Sequence, residues 1–383
     1  MKEKYIIPIL LLCLAACTSE EITNPAPAVP STGTAVGFSA AISGGSPTRT
    51  DTEGEDTEYL HEHFIYEEGG RQSRIRVVNT VNYSVPDFED NTQYKEYAYI
   101  GTGEGDDPNE PNFTPWTGEG ATGGFDWDQI RPTAANFVFE AACYPNSYEP
   151  FDEVPEDQSK DITDFLKADL LLAHHRQPLT GRYDLVKLKF WHAFAMIRVE
   201  VTLPVTGPQV EGGFPEKAIQ DAWLVNRQVG YEVDYTSSID NDGLRPVTAM
   251  GDAIGKVKMY PLAYPEEEGT PTEKTQSYVY CGIIPAQSIV NAEQALVQLS
   301  ILTYSGDQIE GGVWEEAKPK TYNYIPRNAN IPIEQAHITI LQLGVDVDVP
   351  ETILLNAKVK EWGERYTEMP LEPDSSEEDK TNE

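Results

Sequence analysis

Paired histidines are the first residues whose type and spacing could carry chemistry. His61 and His63 flank Glu62, and in an extended strand both imidazoles would lie on one face, roughly 6.5–7 Å apart. That spacing suits Zn²⁺, but no third ligand is visible, so a solvated strand is the favoured interpretation. His174 and His175 would point to opposite faces of a strand, so a shared metal ion is disfavoured.

Two further polar features favour structural interpretations. His192 lies where the strand pattern breaks, and we interpret it as a buried histidine that hydrogen-bonds to the backbone. The run 240–243 (Asp-Asn-Asp-Gly) hints at a calcium loop. With Gly243 as the sixth loop residue, however, the ligands at positions one and twelve would be Ser238 and Ala249. The run therefore predicts a turn, and the sequence predicts no metal site.

Motifs of common catalytic classes do not occur in this sequence. It contains no Gly-x-Ser-x-Gly, no His-Glu-x-x-His and no Gly-rich phosphate-binding signature. Carboxylates are abundant, which leaves a glycosidase pair open, yet nothing singles out one pair. We therefore predict a protein that is not an enzyme and uses no cofactor, with a secreted carbohydrate-active enzyme as the remaining alternative.

Composition narrows the class of protein. The 383 residues carry 28 Lys+Arg against 63 Asp+Glu, a formal net charge of −35, which argues against binding to nucleic acid or to anionic lipid surfaces. Hydrophobic residues make up 39% and aromatic residues 10%, too much for a disordered acidic chain. The length predicts two domains, since one domain takes roughly 100–200 residues.

The first residues predict export. Lys2 and Lys4 precede the apolar run 6–12, which is too short for a permanent membrane helix and is typical of a secretory signal. The run 14–17 (Leu-Ala-Ala-Cys) resembles a bacterial lipobox. That resemblance implies cleavage before Cys17 and a lipid anchor on its thiol; the alternative is an ordinary signal peptide that ends in cysteine.

Few cysteines remain after such processing. Cys13 would leave with the signal peptide and Cys17 would carry lipid, so the mature chain keeps Cys143 and Cys281. A bridge between them stays open, but we expect two buried thiols. No Cys-x-x-Cys pair occurs, which excludes a structural zinc site built on such pairs.

Alternation of apolar and polar residues dominates the middle of the chain. It is clearest at 36–42, 185–190, 197–203 and 297–301. Further strand candidates are 75–83, 137–143, 218–226, 278–284, 337–343 and 352–362. No long amphipathic helix stands out. The pattern predicts an all-β protein made of β-sandwiches with Greek-key connections.

A switch of the apolar residues from even to odd positions, a change of parity, indicates where one strand ends and another begins. The apolar face lies on even positions through Phe190 and on odd positions from Ile197, which requires a bulge or tight turn within 191–196. Pro and Gly residues then cluster at 204–216, where we place the domain boundary. The predicted organisation is a lipoprotein signal peptide (1–16), a Pro-rich tether (17–33), an N-terminal β-sandwich domain (34–205), a C-terminal β-sandwich domain (206–366) and an acidic tail (367–383).

Several stretches carry family-like motifs. They are the alternating run 36–42 with Thr48-Arg49-Thr50, the run 169–173 (Asp-Leu-Leu-Leu-Ala) with 186–195 (Val-Lys-Leu-Lys-Phe-Trp-His-Ala-Phe-Ala), the run 282–287 (Gly-Ile-Ile-Pro-Ala-Gln) and 357–362 (Ala-Lys-Val-Lys-Glu-Trp). They are spread over nearly the whole chain. Together with the lipobox-like run they resemble the fimbrillin family of Bacteroidetes, the subunits of type V pili.

The resemblance implies a fold and an assembly route. The fold would be two β-sandwich domains of transthyretin-like topology, exported as a lipoprotein. Proteolysis between Arg49 and Thr50 would then remove the first strand and leave a groove for a strand of another subunit. The exchanged face would consist of Val36, Phe38, Ala40 and Ile42. Physical reasoning agrees, because a strand joined through the small-residue spacer 43–47 can be cut away without dividing the core.

A Gly-rich acidic stretch at 101–124 is a candidate for ligand contact. Exposed aromatic side chains in it could stack on sugar rings or on a protein partner. We name Trp116 as the best candidate, with Phe113 beside it, and expect Phe125 and Trp127 to belong to the core.

The sequence therefore predicts a structural or adhesive subunit of a cell-surface fimbria. It would be lipid-anchored and surface-exposed at the outer membrane, and its partners would be other fimbrial subunits and a host or bacterial surface ligand. The alternative is an outer-membrane surface lipoprotein that binds glycan or protein and never polymerises. The shaft, anchor and tip roles all remain open.

Overall fold

A computed structural model describes most of the region between the two ends of the chain. The described residues are 35–42, 73–82, 85–100, 110–144, 149–239, 243–263, 267–268, 274–288, 293–305, 308–309, 313–314, 317–327, 331–345, 352–362 and 369–370. Nearly all regular structure among them is β-strand, so the predicted all-β class is confirmed. None of the described helices has the length and apolarity needed to cross a membrane.

Seven strands form a closed barrel. They are β1 (Phe38–Ile42), β2 (Arg74–Asn79), β3 (Tyr94–Tyr99), β4 (Phe113–Pro115), β5 (Asn136–Cys143), β6 (Leu171–Pro178) and β7 (Val186–His192). Their order around the barrel is β1-β4-β3-β2-β5-β6-β7. Neighbouring strands are antiparallel except for β1 and β7, which run parallel.

Alternation fills the barrel as the sequence predicts. On β7, Val186, Leu188 and Phe190 point inward and are buried, while Lys187 and Lys189 are exposed. Inward side chains of the other strands complete one apolar cluster that includes Val77, Tyr97, Phe139 and Ala173. The barrel is therefore a packed core.

The connection between β5 and β6 holds a single-turn helix, α1 (Ile162–Leu166). Asp161 precedes it, and its carboxylate accepts the backbone N–H of Asp164 at 2.8 Å, which satisfies one of the free donors of the first turn. Phe165 and Leu166 are buried and anchor α1 on the larger core. Two short 3₁₀ turns, Thr80–Asn82 and Leu179–Gly181, lie elsewhere in this part.

The remaining strands build further sheets. They are β8 (Ala195–Pro204), β9 (Ile219–Val233), β10 (Val247–Lys258), β11 (Tyr260–Ala263), β12 (Glu267–Glu268), β13 (Thr275–Ile284), β14 (Val297–Tyr304), β15 (Gln308–Ile309), β16 (Val313–Trp314), β17 (Ala317–Tyr324), β18 (His337–Val345), β19 (Thr352–Glu361) and β20 (Met369–Pro370). One sheet has the order β10-β9-β14-β17. A larger one has the order β11-β13-β8-β18-β19-β20, with β12 also paired to β13. Strands β15 and β16 pair with each other.

The parity change corresponds to a change of sheet. Strand β7 ends at His192 and β8 begins at Ala195, so the turn predicted within 191–196 is confirmed. Strand β8 pairs with β13 and β18, and its buried side chains belong to a second, larger core. The chain therefore leaves the barrel sheet before the 204–216 segment, and the domain limits given above stay a prediction.

Both described cysteines are free and buried, as predicted. Cys143 ends β5 inside the barrel core, and Cys281 lies on β13 in the larger core. Burial, with a smaller contribution from the charge of Asp169, raises the pKa of the Cys143 thiol far above its usual range. Cys143 is therefore an inert core side chain in the native protein.

Candidate functional site

Strand β1 occupies a slot between β4 and β7. It pairs in parallel with β7 from Phe38 opposite Val186 to Ile42 opposite Phe190. On its other side Phe38 lies opposite Phe113 of the antiparallel β4. The backbone N–H of Val186 donates to the Gly37 carbonyl at 3.0 Å. The first strand is thus the piece that closes the barrel.

The predicted apolar face of β1 points into the barrel. The burial of its side chains decreases from the start of the strand to its end. Val36, just before β1, and Phe38 are fully buried, whereas Ala40 and Ile42 are half-buried against the same cluster. The ring of Phe38 contacts Tyr97 and Phe139 edge to face, with centroids 4.8 and 5.5 Å apart. Such aromatic pairs add about 0.5–1.5 kcal/mol beyond area burial. Phe38 is therefore the main side-chain anchor of the strand.

Asn112 holds the backbone of β1 with its side-chain amide. Its Nδ2 donates to the Ala40 carbonyl at 3.1 Å, and its Oδ1 accepts the Ala40 N–H at 2.9 Å. The Asn112 backbone N–H also donates to the Phe38 carbonyl at 3.2 Å. These contacts recognise main-chain groups, so they are open to a strand of another sequence. Sequence reasoning missed Asn112, because nothing near it in the chain indicates a partner 72 positions away.

Removing β1 would leave the other six barrel strands paired. Without it, the order β4-β3-β2-β5-β6-β7 is still a continuous antiparallel sheet. The facing edges of β4 and β7 would lose their partner, as would the Phe125 carbonyl that accepts the Val36 N–H, and a gap one strand wide would open over the socket of Phe38. Unpaired edges of this kind readily accept another chain. The slot is therefore suited to strand replacement.

Several predicted positions cannot be placed in this geometry. Cys17, Arg49, Thr50, His61 and His63 lie outside the described residues. The expected cleavage between Arg49 and Thr50 and the expected lipidation of Cys17 therefore remain predictions. The run 240–242 of the suggested turn is also outside the described residues.

The aromatic residues of the Gly-rich stretch are less exposed than expected. Phe113 is 2% exposed on β4 and packs in the barrel core, so its role as a ligand contact is corrected. Trp116 is half-buried, with the Arg74 guanidinium carbon 3.5 Å from its ring centroid. Its ring also covers Gly118, where an added Cβ would lie 2.1 Å from the Trp116 Cζ2. Trp116 thus keeps only part of its surface for a partner.

The two neighbouring aromatics behave as predicted. Trp127 is fully buried and packs edge to face on Phe137, with ring centroids 5.1 Å apart. Phe125 is half-buried against the barrel core, and its backbone N–H donates to the Tyr97 hydroxyl oxygen at 2.7 Å. Both residues therefore position the Gly-rich stretch on the barrel.

His192 is buried, as predicted. Its Nδ1 lies 2.9 Å from Oδ1 of the buried Asp169, so it forms a hydrogen bond to a carboxylate. The imidazole also stacks on Trp362, with ring centroids 3.8 Å apart and planes tilted by 2°. Asp169, His192 and Trp362 all belong to the family-like motifs. Their contacts join the start of β6, the end of β7 and the end of β19.

His174 and His175 face different surroundings, as the alternation predicts. His174 Nδ1 lies 2.6 Å from Glu140 Oε1, and Arg245 binds the same carboxylate. His175 Nε2 instead lies 2.9 Å from Gln177 Oε1. Within the described ranges, no group of three His, Cys, Asp or Glu residues could hold a metal ion.

Comparisons with known proteins found matches among solved structures only. No family model and no curated protein matches the chain. A solved structure from Bacteroides uniformis, described as a "putative cell adhesion protein", has 14% sequence identity and a TM-score of 0.43 over 78% of this chain and 94% of that chain. One of the same description from Bacteroides ovatus has 13% identity and a TM-score of 0.42 over 86% and 97%.

A fimbrial protein is also among the similar structures. The tip fimbrial protein Mfa3 from Porphyromonas gingivalis has 10% identity and a TM-score of 0.31 over 76% of this chain and 94% of that chain. With every TM-score here below 0.5, the function of this chain has to be argued from its own residues.

Proposed function

We propose that this chain is a non-enzymatic structural or adhesive subunit of a cell-surface fimbria. Its first strand would be removed by proteolysis, and a strand of another subunit would take its place. The observation that carries the proposal is the position of β1, which closes the barrel between β4 and β7. Neither of these two strands follows β1 directly in the sequence. A strand so placed can be exchanged without breaking any other barrel pairing.

Burial explains why the vacated slot would demand a replacement. Val36 and Phe38 are fully buried, and burying each such side chain contributes about 1.5–3 kcal/mol. Losing them would expose the apolar socket around Phe38 together with two unpaired strand edges. A donor strand from a second subunit restores both burial and backbone hydrogen bonds, so subunits would be joined firmly.

Recognition of the donor would combine one side-chain socket with one backbone clamp. The socket of Tyr97 and Phe139 suits a large apolar side chain at the position of Phe38. Asn112 would bind the main chain two residues further along, as it now binds Ala40. The donor would therefore need only a β-strand with one large apolar side chain at the position of Phe38.

Export and domain organisation complete the proposal. Cys17 would carry the lipid that holds the precursor at the outer membrane, with the chain exposed at the cell surface. The barrel would belong to an N-terminal domain (34–205) and the larger sheets to a C-terminal domain (206–366), both of transthyretin-like topology, with β8 of the first range contributing a strand to a larger sheet. Other fimbrial subunits would be the partners in strand exchange.

The test is Arg49→Ala in cells that make the fimbria. The unaltered protein should begin at Thr50 in surface material and form ladders that resist SDS, whereas Arg49→Ala should stay a membrane-tethered monomer. Arg71→Ala is the matched control, since it removes another arginine before β2 and should assemble normally. The N-terminal residue is read by mass spectrometry after digestion with a protease other than trypsin.

Two outcomes would oppose the proposal. Fibres in which this protein still begins at Cys17 would show that β1 is retained in assembly. Normal ladders from Arg49→Ala would show that assembly needs no cleavage there. A monomer in every condition would favour the alternative of a surface lipoprotein that binds glycan or protein without polymerising.

A further inference from the structure

The turn that joins β6 to β7, residues 179–185, presents large apolar side chains to solvent. Leu179 is 42% exposed and Tyr183 is 53% exposed. Pro178 and Ala135 beside it are exposed as well, and the Ala135 carbonyl accepts the Leu179 N–H at 3.4 Å. Single exposed apolar residues need no explanation, whereas apolar residues exposed together mark contact surfaces. Three further observations indicate what this turn contacts.

Tyr183 holds an aromatic ring at the surface in an unusual backbone conformation. Its φ is 77°, in the left-handed region that glycine adopts without strain. The ring meets the buried Trp127 edge to face, with centroids 6.3 Å apart, and the Arg182 guanidinium carbon lies 5.0 Å from its centroid. More than half of the residue nevertheless stays exposed. The strain is therefore spent on a ring that is only partly used within the barrel.

The turn is fixed in place by hydrogen bonds. Arg182 donates from Nη2 to the Trp127 carbonyl at 2.9 Å. The Gly181 carbonyl accepts the Gln177 Nε2 at 2.9 Å, and the Gly181 oxygen also accepts the Asp184 N–H at 3.0 Å. A surface that is ordered in advance loses little entropy when it binds a partner.

The chain enters the barrel beside this turn. An added Cβ on Gly37 would lie 3.2 Å from Cδ1 of Leu185, the last residue of the turn. Ala35 forms a bridge with Asp126, and Tyr183 packs on the next residue in the sequence. The residues that precede Ala35 therefore start next to the exposed ring of Tyr183.

The segment that ends there is the predicted Pro-rich tether (17–33), which lies outside the described residues. Its run 25–30 reads Pro-Ala-Pro-Ala-Val-Pro and carries no charge. Residues 31–34 join this run to Ala35 and span at most roughly 14 Å, so the run begins within reach of the turn. Pro-rich runs bind to aromatic side chains at low entropic cost. The covalent link also keeps the run at a high effective concentration, so a weak contact suffices.

We propose that the run 25–30 of the tether docks on the turn 179–185, against Leu179 and Tyr183. The docked run would cover apolar surface without burying an unpaired charge, because Arg182 is already paired with Asp128. The contact does not depend on strand exchange. The cleavage proposed above would nevertheless end it, since the tether would leave together with β1 and uncover the turn.

Photochemical crosslinking of the complete precursor, purified in detergent from a heterologous host, tests the occupant. The photoreactive amino acid p-benzoylphenylalanine replaces Tyr183, and crosslinked peptides are identified by mass spectrometry. We expect crosslinks within one chain to residues 25–30. The same replacement at Leu355, which is 63% exposed on β19, is the control and should not capture the tether.

Each other occupant of the turn has its own result in this experiment. A crosslinked dimer would identify a second copy of the chain as the partner. Capture of detergent or lipid alone would indicate a membrane contact. Either result, or the absence of any crosslink to residues 25–30, would overturn the proposal.

Elastase, which cleaves after small residues, measures how often the tether is released. Leu179→Ser should speed cleavage between Ala28 and Val29 about fivefold or more, because proteolysis tracks the released fraction. Leu355→Ser is the matched control at another exposed leucine and should be cleaved like the unaltered protein. Equal rates for these two variants would contradict the docking.

Two variants of Tyr183 separate the ring from the backbone strain. Tyr183→Gly removes the ring and relieves the left-handed conformation, and it should also speed cleavage about fivefold or more. Tyr183→Phe keeps the ring and loses only the hydroxyl that donates to Asp128 at 3.3 Å, so its rate should be unchanged. Thermal unfolding is recorded for each variant, and a Tyr183→Gly protein that does not fold would leave the decision to Leu179→Ser.

Discussion

At the scale of single residues, Asp169, His192 and Trp362 form a buried cluster with a structural role. Asp169 and His192 are both fully buried and hydrogen-bonded, and the His192 ring is stacked on Trp362. Three segments far apart in sequence meet in this cluster. Its role is to fix how the end of the barrel strand β7 contacts the last long strand, β19.

We predict that His192→Phe destabilises the protein by about 1–3 kcal/mol, because the ring stack on Trp362 survives while Asp169 loses a buried donor. The free energy of unfolding is measured in urea. Asp128→Asn is the control, since its exposed ion pair with Arg182 should contribute less than about 1 kcal/mol. An unchanged stability of His192→Phe would show that the hydrogen bond contributes nothing.

A second residue-scale prediction concerns Cys143. Burial raises the pKa of its thiol, so the thiolate does not form in the native protein between pH 7 and pH 9, roughly the range in which free thiols ionise. Iodoacetamide should therefore leave Cys143 unmodified in the native state and alkylate it in urea, as read by peptide mass spectrometry. Native alkylation at pH 8 would contradict the inert core position.

At the scale of elements, strand β1 and its clamp can be tested without any protease. Asn112→Asp keeps an acceptor for the Ala40 N–H but sets a carboxylate oxygen against the Ala40 carbonyl. Losing the hydrogen bond to the Ala40 carbonyl costs about 1–3 kcal/mol, so amide hydrogen exchange at Ala40 should become about tenfold faster or more. Asn323→Asp is the matched control, because its side-chain oxygen would still accept from Gln298. Equal exchange at Ala40 in both variants would contradict the clamp.

Sequence patterns predicted the strands well, but they did not predict which strands pair with each other. Alternation located the faces of β1 and β7, and the parity change between Phe190 and Ile197 located the turn before β8. Periodicity carries no information on which strand lies beside which, so the slot of β1 between β4 and β7 and the second sheet of β8 were not foreseen. The Gly and acidic residues around Phe113 predict an exposed position, whereas its side chain is buried in β4.

Polar sites were missed for a related reason. Asn112 and Arg245 act on groups 72 and 105 positions away in the chain, and neither belongs to a motif. A side chain that is useful only through such distant partners leaves no local signal. The pairing of His192 with Asp169, 23 positions away, was missed in the same way.

At the scale of the whole molecule, the barrel without β1 should be rescued by a peptide. A chain produced from Thr50 onward should aggregate or associate, and a synthetic peptide of residues 34–43 should return it to a stable monomer. The same peptide with Phe38→Ala should bind at least about 100-fold more weakly, since emptying an aromatic socket costs about 3–5 kcal/mol. Affinity is measured by fluorescence anisotropy of labelled peptides. Equal affinities would show that the Phe38 socket does not select the strand.

The mixed pairing of β1 has a consequence for the polarity of any polymer built on this slot. Because β4 and β7 run in opposite directions, an entering strand is parallel to one edge and antiparallel to the other, whichever way it points. Backbone pairing alone therefore hardly distinguishes the two directions. The direction of the entering strand is therefore set by the side chains that contact it, which are not placed symmetrically along the slot. They are the socket of Phe38 near one end and Asn112 beside it. A slot that admitted both directions would join successive subunits at two angles, and a straight fibre could not grow from it.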